Sequence, residues 1–324
     1  MSRSVELTTN EKNFLHQALE NNLRLNGRGF NDFRNLDIYL SPTEYGYVEV
    51  SLGKTKISVR VSADIVKPYE DRPFEGIFII NSEISPMASL KFDTTRAQQQ
   101  DEILISRIIE KSIRRSNAID LENLCIVAGE KCWEITADLN FWNYDGNMID
   151  LGCFATMLAL SHFKKPDVSI NQDQGIIIHD IDERQPVGLS ILHIPICLTF
   201  SFFNLSTKEM NIKGETNGQG QGGLQGGGEN ETGSFEICIL DADATEENLR
   251  DGSITITLNK NREILQLSKN GGVPIDADRL IELCFISMEK IDHLTELIKQ
   301  KIKQHEEWRY NRDNFKLLES SAAR

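Results

Sequence analysis

Residues 47–61 read Tyr47-Val-Glu-Val-Ser-Leu-Gly-Lys-Thr-Lys-Ile-Ser-Val-Arg-Val61. Apolar and polar side chains alternate on both sides of Gly53, the period of a strand with one buried face, and the glycine supplies the turn. The stretch is a β-hairpin, and it commits this part of the chain to an antiparallel sheet. Gly76-Ile-Phe-Ile-Ile-Asn81 reads as a further strand. Cys125-Ile-Val-Ala128 and Trp133-Glu-Ile-Thr-Ala-Asp-Leu139 flank a turn at Gly129-Glu130-Lys131.

Helical periods interrupt these strands. Thr9-Asn10-Glu11 has the form of a helix start. Phe14, Leu15, Ala18, Leu19 and Leu23 follow in one row, with an end expected before Asn26-Gly27. Gln98 to Ser116 predicts a helix with Ile103, Leu104, Ile108 and Ile109 as its apolar stripe and Ile113 behind. Met148 to Phe163 is apolar almost throughout, which predicts burial on nearly every side.

Beyond Pro166, residues 176–179 and 189–203 read as strand, and strand signals resume at Phe235. Leu240 to Arg250 predicts a short acidic helix. Residues 254–258 and 263–267 form a hairpin around Asn259-Lys-Asn-Arg262. Asp276 to about Lys303 predicts an amphipathic helix, with a polar tail after it.

Strands and helices in this mixed order favour an α+β fold over a doubly wound sheet. The division that follows is an N-terminal helical extension (1–25), a first domain (26–166), a second domain (187–270) and a C-terminal helix with its tail (271–324). A Gly/Gln-rich surface loop (211–233) interrupts the second domain.

The net charge of −14 argues against a protein that grips nucleic acid with its whole surface, although local basic patches still act locally. An acidic surface also suits packing against basic partners. The cysteines at 125, 132, 153, 197, 238 and 284 form no CxxC pair and no His cluster accompanies them. They read as buried thiols rather than a zinc site or a disulfide framework. Neither a metal nor a cofactor is expected. Met1 to Asn10 is polar, unlike a signal peptide, and no apolar run approaches the roughly 20 residues of a membrane span. A soluble nuclear or cytosolic protein without a membrane partner is the expectation.

Several segments, taken in order, resemble the RNase PH family. They are Arg24-Leu-Asn-Gly-Arg-Gly29, Val48-Glu-Val-Ser-Leu-Gly-Lys-Thr55, Ala128-Gly-Glu-Lys-Cys-Trp133, His193-Ile-Pro-Ile-Cys197 and Leu258-Asn-Lys-Asn-Arg-Glu263. The run from Ser106 to Ser116 supports the match, and Tyr69-Glu-Asp-Arg-Pro-Phe-Glu-Gly76 and Glu83-Ile-Ser-Pro-Met87 are narrower. They are similar to one branch, the ring subunit of the eukaryotic RNA exosome related to the polymyositis–scleroderma autoantigen.

The resemblance spans about Asn10 to His305. It implies the RNase PH fold (ribosomal protein S5 domain 2-like), with two α/β layers. It also implies a hexameric ring of RNase-PH-like subunits around an RNA channel, S1/KH-domain cap subunits, a separate hydrolytic nuclease, and residence in nucleus, nucleolus and cytoplasm.

Active members of the family are phosphorolytic exoribonucleases that hold phosphate on a Gly-Gly-Thr-Arg-like turn at a helix start, with acidic residues nearby. The matching turn here is Asp145-Gly146-Asn147-Met148, a degenerate phosphate site. Methionine brings no positive charge and only a weak acceptor, so a phosphate loses its bidentate partner. The family's Glu-Asp pair falls on Thr199-Phe-Ser-Phe-Phe-Asn204, which holds no carboxylate. An acidic position remains at Asp241 or Asp243. It reads either as a relic metal ligand or, for Asp241, as the N-cap of the following helix. His193, in Leu-His-Ile-Pro-Ile, reads as a packed histidine rather than a general base. His162, at a helix end beside Lys164 and Lys165, reads as a complement to the helix dipole.

Arg107, Lys111 and Arg114 fall on one face of the 98–116 helix, with Arg115 at its margin. Two readings stand: sequence-independent contact with an RNA backbone, or a solvated or subunit-facing stripe partly paired with Glu110. Lys91 and Arg96, beside Gln98-Gln-Gln100, form a weaker RNA candidate. Arg72, among Glu70, Asp71 and Glu75, reads as structural. The functional expectation is a non-catalytic structural and RNA-channel subunit. The alternatives are a phosphorolytic exoribonuclease and a scaffold without RNA contact.

Overall fold

The computed structural model describes residues 8–92, 95–171, 175–180, 183–205, 235–272 and 274–322. In chain order the elements are α1 (Thr9–Glu20), β1 (Leu36–Leu40), β2 (Tyr47–Leu52), β3 (Thr55–Val66), β4 (Ile77–Ile84), α2 (Thr95–Arg114), β5 (Cys125–Val127), β6 (Lys131–Asn143) and α3 (Met148–His162). Then come β7 (Lys164–Lys165), β8 (Val168–Asn171), β9 (Gly175–Ile178), β10 (Val187–Gly188), β11 (Ile196–Leu205), β12 (Phe235–Leu240), α4 (Ala244–Leu249), β13 (Gly252–Leu258), β14 (Ile264–Gly271) and α5 (Ala277–Ala322).

The Tyr47–Val61 hairpin pairs as read, with Val50 opposite Ile57 and Val48 opposite Val59, all four fully buried. It lies inside a six-stranded sheet of order β1-β2-β3-β6-β4, with β5 against β6 and only β4 parallel to its neighbour. The second sheet is antiparallel, in the order β12-β11-β13-β14. Helix α3 packs against β2 and β3 on one side and β11 on the other, with α2 and α5 alongside. That position explains its composition: of its residues only Ile149 and Ser161 are not buried. Gly152 marks the closest approach to α2, because a Cβ there would stand 2.9 Å from Ile109 Cδ1. The fold is the α+β arrangement expected, with helices between two sheets and one core running through both.

Several local expectations need correction. Helix α1 stops at Glu20, so Phe14 (59% exposed) and Leu23 (63%) do not join Leu15 and Leu19 in its buried row. The buried stripe of α2 is Ile105, Ile108, Ile109, Ser112 and Ile113, an unbroken i, i+3, i+4, i+7, i+8 row. Ile103 and Leu104 lie outside that row and are exposed. Residues 189–195 are not strand beyond a single bridge from Ile191 to Ile119, and β11 starts immediately after Pro195, which has no N–H to donate. The Gly/Gln-rich segment 211–233 lies outside the described residues.

The largest difference is at the C-terminus, where the expected polar tail continues α5 to Ala322. The charged residues there are good helix formers, and a dock fixes the extension. Arg309 donates to the carbonyls of Ser41 (2.8 Å) and Glu44 (3.3 Å), and its guanidinium lies 3.9 Å from the Tyr45 ring centroid. Arg312 donates to Pro42 O at 3.1 Å. The His305 and His162 rings meet edge to face at 4.9 Å.

His162 is not the charged dipole partner expected. Burial, with His305, Arg309 and Lys164 nearby, pushes its pKa down to about 3. Its neutral Nδ1 accepts the Gly46 N–H at 3.1 Å.

Arg309→Ala removes charge-assisted bonds and a cation–π contact, together worth about 2–4 kcal/mol. The expected outcome is much faster hydrogen exchange across residues 303–322 with the two sheets still protected. Unchanged protection of that segment would refute the dock.

Candidate functional site

The turn from β6 into α3 is built from two consecutive left-handed residues, Gly146 (φ +82°) and Asn147 (φ +59°). Asparagine tolerates this region. Gly146 is required for a second reason: a Cβ would lie 2.4 Å from Ala242 O and 2.7 Å from the Asp243 carbonyl carbon. The turn is thus pressed against the backbone between β12 and α4, where Asp241 is also left-handed (φ +52°).

Asp241 is fully buried, and three residues converge on its carboxylate. Arg34 donates from Nε to Oδ2 (2.9 Å) and from Nη2 to Oδ1 (2.8 Å), while its backbone N–H reaches Oδ2 at 2.9 Å. Arg28 Nη1 reaches Oδ2 at 2.9 Å, and Asn147 Nδ2 reaches Oδ1 at 2.7 Å. Burial opposes ionisation of Asp241. The Arg34 bonds and charge, with Asn147, nevertheless hold its pKa below the ordinary value.

The N-cap reading of Asp241 gives way. Asp243 is the N-cap of α4, and its N–H donates to Glu246 Oε2 at 2.9 Å. Guanidinium groups take the places around Asp241 that a cation would need. Among the described residues no group of three or more His, Cys, Asp or Glu is arranged to hold a metal ion.

The same segment ties other parts together. Arg24 donates to both oxygens of Glu246 (3.1 and 2.7 Å) and to the carbonyls of Leu240 (3.1 Å) and Asp241 (2.8 Å). Arg28 Nη2 binds Asp243 Oδ1 at 2.7 Å, and Asn26 Nδ2 hydrogen-bonds Asp243 Oδ2. Arg34 also donates to the carbonyls of Asp145 (2.8 Å) and Gly146 (3.3 Å). A cleft of about 1440 Å³ opens beside this network, with Arg28, Arg34, Lys54, Asp145 and Lys290 on its walls.

The N-terminus of α3 already carries an anion, the carboxylate of Glu247. Its Oε1 accepts the Asn147 N–H (3.1 Å), and its Oε2 accepts the Tyr144 hydroxyl (2.6 Å). Arg250 adds a contact to Oε1 at 3.3 Å. Burial and the Glu247 charge raise the Tyr144 hydroxyl far above its ordinary pKa, so it stays a donor.

One turn into α3, Asp150 is buried and accepts from Thr199 N (2.8 Å) and Thr199 Oγ1 (2.6 Å). Burial raises its pKa to about 7 against the opposing effect of those bonds.

Gly146, Asn147 and Met148 are thus assembled where the sequence placed them, with Met148 itself buried. The basic candidates lie elsewhere, on α2. Arg107, Lys111 and Arg115 are exposed. Arg114 pairs with Glu110 at 3.1 Å, Lys91 pairs with Asp101 at 3.2 Å, and the Arg96 side chain lies outside the described residues. Ile103 and Leu104 flank this basic face. Arg72 pairs with Glu75 (3.1 Å), and His193 Nε2 meets Ser116 Oγ (3.1 Å) as a packed histidine. Sequence reasoning missed Arg34 and Tyr144, and read Arg24 and Arg28 only as part of a motif.

A sequence model of the 3' exoribonuclease family, domain 1, matches residues 32–166, and its domain 2 counterpart matches residues 193–290. The chain belongs to the RNase PH family of 3' exoribonucleases. Among its RNase PH relatives, the exosome complex component RRP45 of Saccharomyces cerevisiae is 49% identical over 309 residues, covering 95% of each chain. Exosome complex component rrp45 of Schizosaccharomyces pombe is 43% identical over 304 residues, or 94% of each. In structure, a chain of the Archaeoglobus fulgidus exosome with RNA bound to the active site superposes with a TM-score of 0.68 at 26% identity. That match covers 88% of this chain and 96% of the other.

The raised pKa of Asp150 gives this RNase PH chain a pH signature. The folded form keeps a proton that the unfolded form loses near pH 4, so stability falls as pH climbs from about 4 to about 7. Asp150→Asn keeps an acceptor for the Thr199 N–H and is always neutral. Its stability should gain on the native chain across that window in urea titrations. Parallel pH profiles for the two proteins would refute an elevated Asp150 pKa.

Proposed function

We propose that this chain is a non-catalytic structural and RNA-channel subunit of an exosome core ring, supporting 3'-to-5' processing and degradation of RNA by associated nucleases. Its near full-length likeness to the RRP45 proteins supports the ring. The observation that carries the non-catalytic part is the Glu247 carboxylate on the N-terminus of α3.

A helix N-terminus is a ready anion site, and here the protein's own anion fills it. An incoming phosphate dianion would meet a fixed negative charge, and displacing Glu247 would break its bond to the half-buried Tyr144 hydroxyl. Met148 has no charge to offer, and Arg28 and Arg34 are committed to Asp241. Each carboxylate bond they would have to give up is worth roughly 1.5–3 kcal/mol.

In this reading neighbouring RNase-PH-like subunits close the ring and S1/KH-domain subunits cap it. RNA threads the channel past Arg107, Lys111 and Arg114 toward a hydrolytic nuclease, in nucleus, nucleolus and cytoplasm. Lys91 and Arg96 form a secondary contact. The exposed Ile103 and Leu104 beside the stripe favour a neighbouring protein at that end of α2, since RNA backbone contact needs only charge.

The catalytic half is tested by incubating the chain, alone and in its simplest heterodimer, with RNA and inorganic phosphate. No nucleoside diphosphate should be released, and phosphate-dependent release by this chain would overturn the reading. The RNA half is tested in the assembled ring with Arg107→Glu, Lys111→Glu and Arg114→Glu combined. Crosslinking of RNA to this subunit should fall, and the slope of log affinity against log salt should shrink by about 2. Unchanged crosslinking would exclude the stripe as an RNA contact.

A further inference from the structure

Around the junction of the two family matches the chain folds into short ladders that belong to neither large sheet. One is β7 with β10, and the other is the β8–β9 hairpin. Its register sets Val168 opposite Ile178 and Ile170 opposite Ile176, so four aliphatic side chains share one face. Ile170 is 58% exposed and Ile178 53%, and Val187 and Leu192 are exposed nearby in sequence. A two-stranded hairpin is marginal in water without an apolar face to cover it. Here Val168 packs against the core and Ile176 is half-buried, while the outer pair, Ile170 and Ile178, is uncovered among the described residues.

Beside it lies a cleft of about 310 Å³, with Cys125, Trp133, Lys165, Ile170 and Val187 on its walls. That volume is at the small end for ligand pockets, about 300–1,000 Å³, and suits one or two side chains better than a cofactor.

Lys165 gives the cleft its polarity. It is half-buried, and its Nζ donates to Asn123 O at 3.4 Å. Among the described residues it forms no ion pair. The adjacent carboxylate, Asp167, is already held by Arg184 at 2.9 Å. Burial without a counter-ion lowers the Lys165 pKa. A half-buried ammonium beside the exposed Ile170 and Ile178 is the complement of an apolar side chain next to an acid. A two-fold contact between copies of this face would set lysine toward lysine. RNA would leave the aliphatic face uncovered.

We infer that the β8–β9 face and its cleft dock a partner protein segment presenting an aliphatic or aromatic side chain beside a carboxylate. The side chain fills the cleft lined by Trp133 and Val187, and the carboxylate pairs with Lys165. The inference stands apart from the exosome reading, because it names the chemistry of the segment and not the assembly.

The test replaces Ile178 with p-benzoylphenylalanine in the tagged full-length chain, irradiates cells, and sequences the cross-linked peptides of the purified complex. The expected product joins this chain to one segment of a different protein, with Asp or Glu within two residues of a large apolar residue. Lys165→Glu should lower its yield by about tenfold or more while Lys165→Arg keeps it. Cross-links confined to this chain, to a second copy or to RNA would overturn the inference, as would no cross-link or a yield indifferent to Lys165→Glu.

A second measurement needs no change at Lys165. N-ethylmaleimide should alkylate Cys125 about tenfold more slowly in the native complex than in a complex carrying Ile178→Glu. Equal rates would count against an occupied cleft.

Discussion

Everything at the junction of the two sheets depends on one buried carboxylate. Asp241 has no exposure to water, and Arg28, Arg34 and Asn147 together satisfy it from separate parts of the chain. Such a cluster is a poor source of net stability, because the charges lose their hydration. Its effect is on geometry. Removing one partner leaves a stranded charge, which costs about 3–5 kcal/mol. The segment carrying Arg24, Arg28 and Arg34, the start of α3 and the turn before α4 are therefore held in one mutual arrangement.

The same cluster bears on chemistry. A phosphorolytic site must leave a helix N-terminus and some cationic side chains free to receive a dianion. Here Glu247 sits on the N-terminus, and the nearby arginines face carboxylates of their own chain. The N-terminus of α3 is thus satisfied within the chain. An N-terminus with an exposed dipole contributes only about 0.3–1 kcal/mol toward an anion. Eviction of Glu247 from its bond to Tyr144 would outweigh that.

The regular elements were legible because their periods are local. The Tyr47–Val61 alternation and the largely apolar run of α3 each gave the element and its burial. The turn at Gly146-Asn147-Met148 was legible through family resemblance. The rest of the site was not, for a physical reason. Arg24 meets Glu246, Arg34 meets Asp241, and Asn147 meets Glu247, pairs separated by long stretches of chain. No window of sequence contains both partners. The α2 stripe was misjudged because Ile103 and Leu104 are apolar but lie a few residues off the buried row. The tail of α5 was misjudged because a charged composition says nothing of a dock through Arg309.

Helix α3 has a wall on each side, one made by strands that precede it in the sequence and the other by β11, which follows it. On the ribosome the first sheet and α3 emerge well before β11 and β13. Until those strands arrive, the face of α3 meant for β11 has only water against it. The first half of the chain is thus an unfinished core rather than a domain able to wait alone. Its safe synthesis depends on speed or on a chaperone that shields α3 until the second sheet closes over it.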